Sequence, residues 1–298
     1  MRTLKTSEAA AILNVSPNTL RAWERRFGYP RPMRSPGKHR LYTHGEVVAL
    51  RDALNDGLSI SSAISRAREA VRADTHVLLG ALTAFDLGRA DQAMEAALAL
   101  RPLERAVEEV MLPSLDEIAL RNGVDSAPWA WSAAWAAEWV QRARRLTPPP
   151  SRAACVLVGD ATAGPHDRRA LAIRALELFT ARAGARVVTL PVGCLAGLGP
   201  VLDAHRPDAV VIAGAGSPDD ELARWAYAVR ASVGALPVLL FHRGVRPGRS
   251  ASARTLDERA SAAVSQIVAA IEPPSGLPEP GMGERSQSVA ARPRRMSA

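Results

Sequence analysis

Residues 6–42 read TSEAAAILNVSPNTLRAWERRFGYPRPMRSPGKHRLY, and the rest of the chain is best understood outward from this stretch. Leu4, Ala9, Ile12 and Leu13 supply the apolar side of a short helix starting near Ser7. Ser16 is a good N-cap and Pro17 suits a first helical turn, so a second helix runs from there to about Phe27. Gly28, Pro30, Pro32, Pro36 and Gly37 then impose a loop, and His39 to Tyr42 is short and extended. Two short helices at a tight turn, a basic second helix and a basic loop make the pattern of a helix-turn-helix with a small wing. Such a unit lays one helix in the major groove of DNA, where base edges can be told apart.

On that helix Ser16, Asn18 and Thr19 stand at the first turn, nearest the bases. Arg21, Arg25 and Arg26 reach phosphates or guanine edges, and the first amides can receive a phosphate. Lys38, His39 and Arg40, with Tyr42 beside them, form a second contact point suited to the adjoining backbone or minor groove. Trp23 packs this loop onto the core. Charge agrees with this reading. The formal net charge is +8, and residues 1–76 hold 13 Lys and Arg against 7 Asp and Glu, a net of +6. A basic surface attracts a polyanion, although a solubilising face would carry the same charge.

The 298 residues, 47% of them apolar, suffice for two or three domains. The first is expected over 1–74. Its third helix, marked by Val47, Leu50 and Leu54, ends near Gly57, and a fourth spans Ser59 to Ala73. Residues 75–146 are helical throughout. They comprise a helix marked by Leu78, Leu79, Leu82 and Phe85, one from Ala90 to Leu100, one from Leu103 to Ile118 bent at Pro113, and one from Trp129 to Arg145. Short connections make a four-helix bundle the simplest packing. Leu146-Thr-Pro-Pro-Pro-Ser reads as a stiff linker. Strands and helices alternate over 147–271, with strands at Ala153–Val158, Val187–Leu190, Ala209–Ile212 and Val238–Phe241 and a weaker fifth near Ala251–Thr255. That is a Rossmann-like, doubly wound α/β domain. Residues 272–298 have no apolar period and read as a disordered tail.

Cys155 and Cys194, outside any CxxC pair and in apolar surroundings, read as buried free thiols, which fits a reducing cytoplasm. No run of 18 apolar residues is present and the N-terminus lacks the apolar core of a signal peptide, so neither a membrane span nor export is expected.

The residues already quoted carry a resemblance. Leu20-Arg21-Ala22-Trp23-Glu24 and Gly37-Lys38-His39-Arg40-Leu41-Tyr42, with Leu58-Ser59-Ile60 before the fourth helix, resemble the MerR family of regulators over about 70 residues. Ala22 replaces an aromatic residue of the family pattern, and the wing motif is one residue longer. The resemblance implies a homodimer or higher homo-oligomer bound to double-stranded promoter DNA with an inverted repeat. RNA polymerase or another regulatory protein is a candidate partner. The order of units resembles the light- and cobalamin-responsive branch of the family. No sustained heptad or cysteine cluster of its metal and drug sensors follows the head.

That branch implies a cobalamin whose lower cobalt face is held by a loop histidine after the first strand of the α/β domain. His166 matches, but Gly164 replaces the acidic residue before it and Arg169 the glycine after it. On the helical side, Trp131, Trp135, Glu138 and Trp139 stand near the family's upper-face motif, with Trp139 where a histidine is expected. A tryptophan every fourth residue makes one aromatic stripe, which could cap a flat ligand or simply fill its space. Phe241, His242 and Arg243 crowd the place where a nucleotide tail would pass. The expectation is therefore a sequence-specific DNA-binding regulator, a repressor, without an assigned cofactor and controlled by a ligand or partner at the C-terminal domains. The alternatives are a cobalamin-responsive photoreceptor regulator, control by another small ligand, or a cobalamin-dependent enzyme subunit.

Overall fold

The computed structural model describes residues 3–34, 39–164, 166–234, 236–243 and 253–272. Lys38, expected at the DNA surface, and the expected tail beyond Glu272 lie outside the described residues.

The head begins with a strand the sequence reading did not include, β1 (Thr3–Lys5), followed by α1 (Thr6–Ile12) and α2 (Pro17–Phe27). Two short strands, β2 (Met33–Arg34) and β3 (Arg40–Thr43), precede α3 (His44–Asn55). β3 is the centre of an antiparallel sheet, with Leu4 opposite Tyr42 on one side and Met33 opposite Leu41 on the other. Leu4, Ala9, Leu13, Leu20, Tyr42, Val47 and Leu50 close a small core, and Ile64 joins it from the next helix. β1 is only three residues long, with one inward side chain, so it leaves no alternation for sequence reading to detect.

That next helix corrects an expectation. The two helices expected at Ser59–Ala73 and around Leu78–Phe85 are one, α4 (Ile60–Thr83), capped by the Ser59 hydroxyl on the amide of Ser62. No glycine or proline stands between Ala63 and Val77 to end it. The same helix thus lends Ile64 to the head core and Leu78 and Leu82 to the core beyond.

Next come α5 (Leu87–Leu100) and α6 (Leu103–Ala106). A π-helical turn, Val107–Met111, leads into α7 (Leu112–Asn122), and α8 (Ala127–Arg145) follows. The irregularity expected at Pro113 is taken up by that turn, just before the proline. Proline has no N–H to give the Glu109 carbonyl four residues back, and Thr75 on α4 donates its hydroxyl there instead, at 3.2 Å.

The α/β unit contains β4 (Cys155–Asp160), α9 (Arg168–Arg182), β5 (Arg186–Pro191) and α10 (Leu198–His205). It continues with β6 (Ala209–Ala213), α11 (Asp219–Val233), β7 (Val238–Phe241), β8 (Ala253–Thr255) and α12 (Ala260–Ile271). All five strands are parallel, in the order β5-β4-β6-β7-β8. Alternate residues serve opposite faces. Val156, Val158, Val211 and Phe241 join the core with α9 and α12, whereas Leu157, Val210, Ile212 and Val238 join the one with α10 and α11. Cys155 is buried at the start of β4, as expected, but Cys194 is exposed. It lies in the turn after β5 rather than in a strand, so its apolar neighbours in sequence do not enclose it.

The core of α9 and α12 does not stop at the α/β unit. Leu82, Met94, Val110, Leu115, Ile118, Trp135 and Val140 of the helical layer belong to the same cluster as Leu176, Phe179 and Ile267. Polar ties border it. Arg144 pairs with Glu177 at 2.9 Å, Arg182 with Glu104 at 2.8 Å and Arg168 with Asp116 at 2.6 Å. Glu108 accepts from both the amide and the hydroxyl of Ser261, each at 2.7 Å, and so serves an otherwise orphaned amide in the first turn of α12 from outside that helix. Among the described residues no helix is long and apolar enough to cross a membrane.

The head meets this body at a buried charge. Glu46 of α3 is 5% exposed and pairs with Arg105 of α6 at 2.7 Å. Arg105 also binds Glu109 at 2.9 Å, Glu109 binds Arg31 at 3.2 Å, and the Arg31 amide returns to Glu46 at 3.2 Å. The second carboxylate oxygen of Glu46 is buried without a partner. Burial pushes the Glu46 carboxyl above the usual carboxylate range, and Arg105 draws it back only in part. Removing one partner of such a pair strands the other, at a cost of about 3–5 kcal/mol. Arg105→Met should therefore lower stability by that order in urea melts, and adding Glu46→Gln should recover much of the loss. A carboxyl with a raised folded-state pKa stabilises below its unfolded pKa, and that stability is lost as pH rises through the folded value. Glu46→Gln alone should flatten the loss of melting temperature between mildly acidic and neutral pH.

Candidate nucleic-acid interface

The geometry of α2 follows from local chemistry. The Ser16 hydroxyl accepts the amide of Thr19 at 3.0 Å and lies 2.8 Å from the Thr19 hydroxyl. At the other end Gly28 takes φ +64° and its N–H closes on the Glu24 carbonyl at 2.9 Å, a left-handed cap that costs glycine little. Leu20 faces the core and is fully buried. Asn18, Arg21 and Arg25, at i, i+3 and i+7, form one exposed stripe on the helix surface. Arg21 donates to the Asn18 side chain at 3.2 Å, which holds both at the start of the stripe. Arg26 is exposed at its flank, with its guanidinium 5.1 Å from the Phe27 ring centre.

Two of the expected contact residues have other partners. Tyr42 is fully buried in the head core, not at a DNA-facing surface, because β3 turns it inward opposite Leu4. Arg40 is half-buried and binds the Glu24 carboxylate at 2.9 Å, and the Tyr42 hydroxyl lies 3.5 Å from the same carboxylate. Glu24 on α2 thus gathers the two quoted sequence motifs into one contact. It fixes the sheet against the helix that carries the arginines. His39 is exposed at the edge of this sheet. Trp23 is half-buried against the head core, in the packing role expected for it. Sequence reading placed Glu24 in a motif without giving it a role. Its signal was an acid in one short motif and a base in the other, each beside a core residue, Leu20 and Tyr42.

Behind the head, a cleft of about 900 Å³ lies between the helical layer and the α/β unit. Its walls include Arg31, Trp129, His166, Arg169, His242 and Glu258. His166 is exposed there, and its carbonyl, not its ring, receives the Trp129 indole N–H at 2.9 Å. The other four residues expected beside it do not line the cleft. Trp131 stacks edge-on against Phe85 at 5.3 Å, and Trp135 is buried and donates to Asp91 of α5 at 3.0 Å. Trp139 is half-buried against the common core, and Glu138 is exposed. The stripe fills space between α8 and its neighbours α4 and α5. With Trp131, Trp135, Glu138 and Trp139 outside the cleft that holds His166, and Arg169 where the family has glycine, these residues do not fit a corrinoid held between the two units.

The Glu24 bridge makes a specific claim. Charge-assisted hydrogen bonds contribute about 1.5–3 kcal/mol each. Glu24→Ala should therefore destabilise the head by at least about 1.5 kcal/mol, whereas Arg25→Ala, on an exposed side chain, should leave the melting temperature nearly unchanged.

Comparison with known proteins bears on the same residues. Residues 5–42 match the family model described as MerR family regulatory protein. The chain is 32% identical over 137 residues to the HTH-type transcriptional repressor CarA of Myxococcus xanthus, a match spanning 41% of this chain and 46% of that protein. It is 28% identical over 143 residues to the HTH-type transcriptional repressor CarH of the same organism, spanning 40% and 48%. With the HTH-type transcriptional regulator MlrA of Escherichia coli it is 35% identical over 57 residues, 18% of this chain and 24% of that one. The chain thus matches somewhat under half the length of the two Myxococcus relatives. The unit built from α1, α2 and the Glu24–Arg40 bridge is a MerR-family helix-turn-helix head.

Proposed function

We propose that the chain is a sequence-specific DNA-binding transcriptional regulator, a repressor, that acts as a homodimer or higher homo-oligomer on promoter DNA with an inverted repeat. The observation that carries this reading is the exposed Asn18–Arg21–Arg25 stripe on α2, held rigid by the Ser16 cap and the Glu24–Arg40 bridge. α2 enters the major groove. The sheet of β1, β3 and β2 acts as the wing, with His39 toward the flanking backbone. The similarity to repressors such as CarA supports the direction of control.

In this reading residues 1–74 form the DNA-binding domain, 75–146 a four-helix bundle and 147–271 a Rossmann-like α/β domain. The last two assemble subunits in the cytoplasm and accept the regulatory input, a ligand or a partner protein. Pairing two heads multiplies weak half-site contacts through effective concentration. Any input must favour one assembly state over another to act as a switch. The enzyme reading finds less support, since the relatives matched are described as transcriptional repressors.

A mobility-shift assay on the chain's own promoter tests the proposal. Arg21→Ala and Arg25→Ala should each weaken binding across all sequences and lower the salt slope by about one. Asn18→Ala should relax base preference at one position per half-site. Arg40→Ala should lower affinity together with melting temperature, because it loosens the wing. A wild-type chain that never shifts its promoter at low ionic strength, or arginine variants with unchanged affinity, would remove the assignment.

A further inference from the structure

In a parallel sheet of order 2-1-3-4-5, ligands enter at the carboxyl ends of the strands, where the first and third strands part. In this chain those strands are β4 and β6, and the gap between them is bridged by backbone. The amides of Gly216 and Ser217 both donate to the Ala161 carbonyl, at 2.7 and 3.0 Å, and the Ala161 amide donates to Ala213 at 2.8 Å. The two loops lie so close that a Cβ on Gly216 would stand 2.2 Å from the Ala163 nitrogen. The neighbouring gap is closed by the Gly214 amide on the Phe241 carbonyl at 3.0 Å.

Two side chains complete the closure. Arg243, 13% exposed, runs across the edge from the end of β7. It donates to the Gly214 and Ser217 carbonyls at 3.3 Å and pairs with Asp219 at 2.5 Å. Beneath the loops Trp225 of α11 is fully buried against Gly159 of β4, where a Cβ would meet its ring at 2.7 Å. The Trp225 indole N–H has no partner. A buried orphan donor is costly, so the ring is retained there for its bulk rather than its polarity.

We infer that the α/β unit is closed between β4 and β6, the gap a nucleotide tail would need, while the loops after β4, β7 and β8 border the cleft described above. It admits no corrinoid bearing a nucleotide tail, and DNA binding by this chain is independent of cobalamin and of light. The closed gap stands on geometry alone, and only the DNA clause rests on the function proposed above.

The full-length chain, shown to be folded by a cooperative melt, is mixed in the dark with hydroxocobalamin or with cobinamide, which lacks the tail. Each mixture is gel-filtered and its absorbance spectrum recorded. Cobalamin should elute apart from the protein. Retention of cobinamide alone would place the obstacle at the tail, and retention of neither would place it across the whole site; both support the closure. A stoichiometric cobalamin band travelling with the protein overturns it. In parallel, promoter binding is measured with and without adenosylcobalamin, in darkness and in light. Equal affinities are expected, and a change with either variable overturns the inference. Failure to bind DNA under all conditions would count against the regulator reading, while the gel-filtration arm would still decide the closed gap.

Discussion

A carboxylate taken out of water must find a cation, and Glu46 finds Arg105 across the boundary between the DNA-reading head and the rest of the molecule. Placement of the head depends on that requirement. Arg105 spreads over Glu109, Glu109 holds Arg31, and the Arg31 backbone closes the ring on Glu46. Burial and the nearby Glu46 carboxylate also push the Tyr29 phenol up. Apolar contacts alone could slide. A ring of directional hydrogen bonds cannot, and α4, continuous through the joint, acts as its splint.

Arg31 and Glu109 have a second position in the fold, because both also line the cleft between the helical layer and the α/β unit. The joint that orients the head and this cleft therefore share two side chains. The gap between β4 and β6 is bridged by backbone hydrogen bonds, with Arg243 across it and Trp225 beneath it. The loops after β4, β7 and β8 line the cleft instead.

Much of the head could be read from the order of residues. Ser16 and Pro17 mark a helix start, Gly28 a helix end, and Asn18, Arg21, Arg25 and Arg26 an outward face, all within one short helix. The alternation of strands and helices after residue 150 is equally local, because each buried strand carries its own apolar run. Less was visible wherever the partner lay far along the chain. Tyr42 reads as a polar aromatic near a basic wing, and only the pairing of β3 with β1 turns it inward. Arg40 reads as a phosphate contact until Glu24 is placed beside it. The tryptophan stripe reads as either a ligand cap or a space filler, and only Phe85 and Asp91 packed against it decide for the second.

The sequence by itself determined the helix-turn-helix, the helical segment after it and the parallel α/β unit, because caps, apolar periods and turn residues act over a few positions. Tertiary structure alone decided which charges stay exposed and which are paired inside, and that the gap between β4 and β6 is bridged. Those outcomes depend on distances between residues 16 to 153 positions apart. Electrostatic pairing and steric closure act through space, and no local pattern records them.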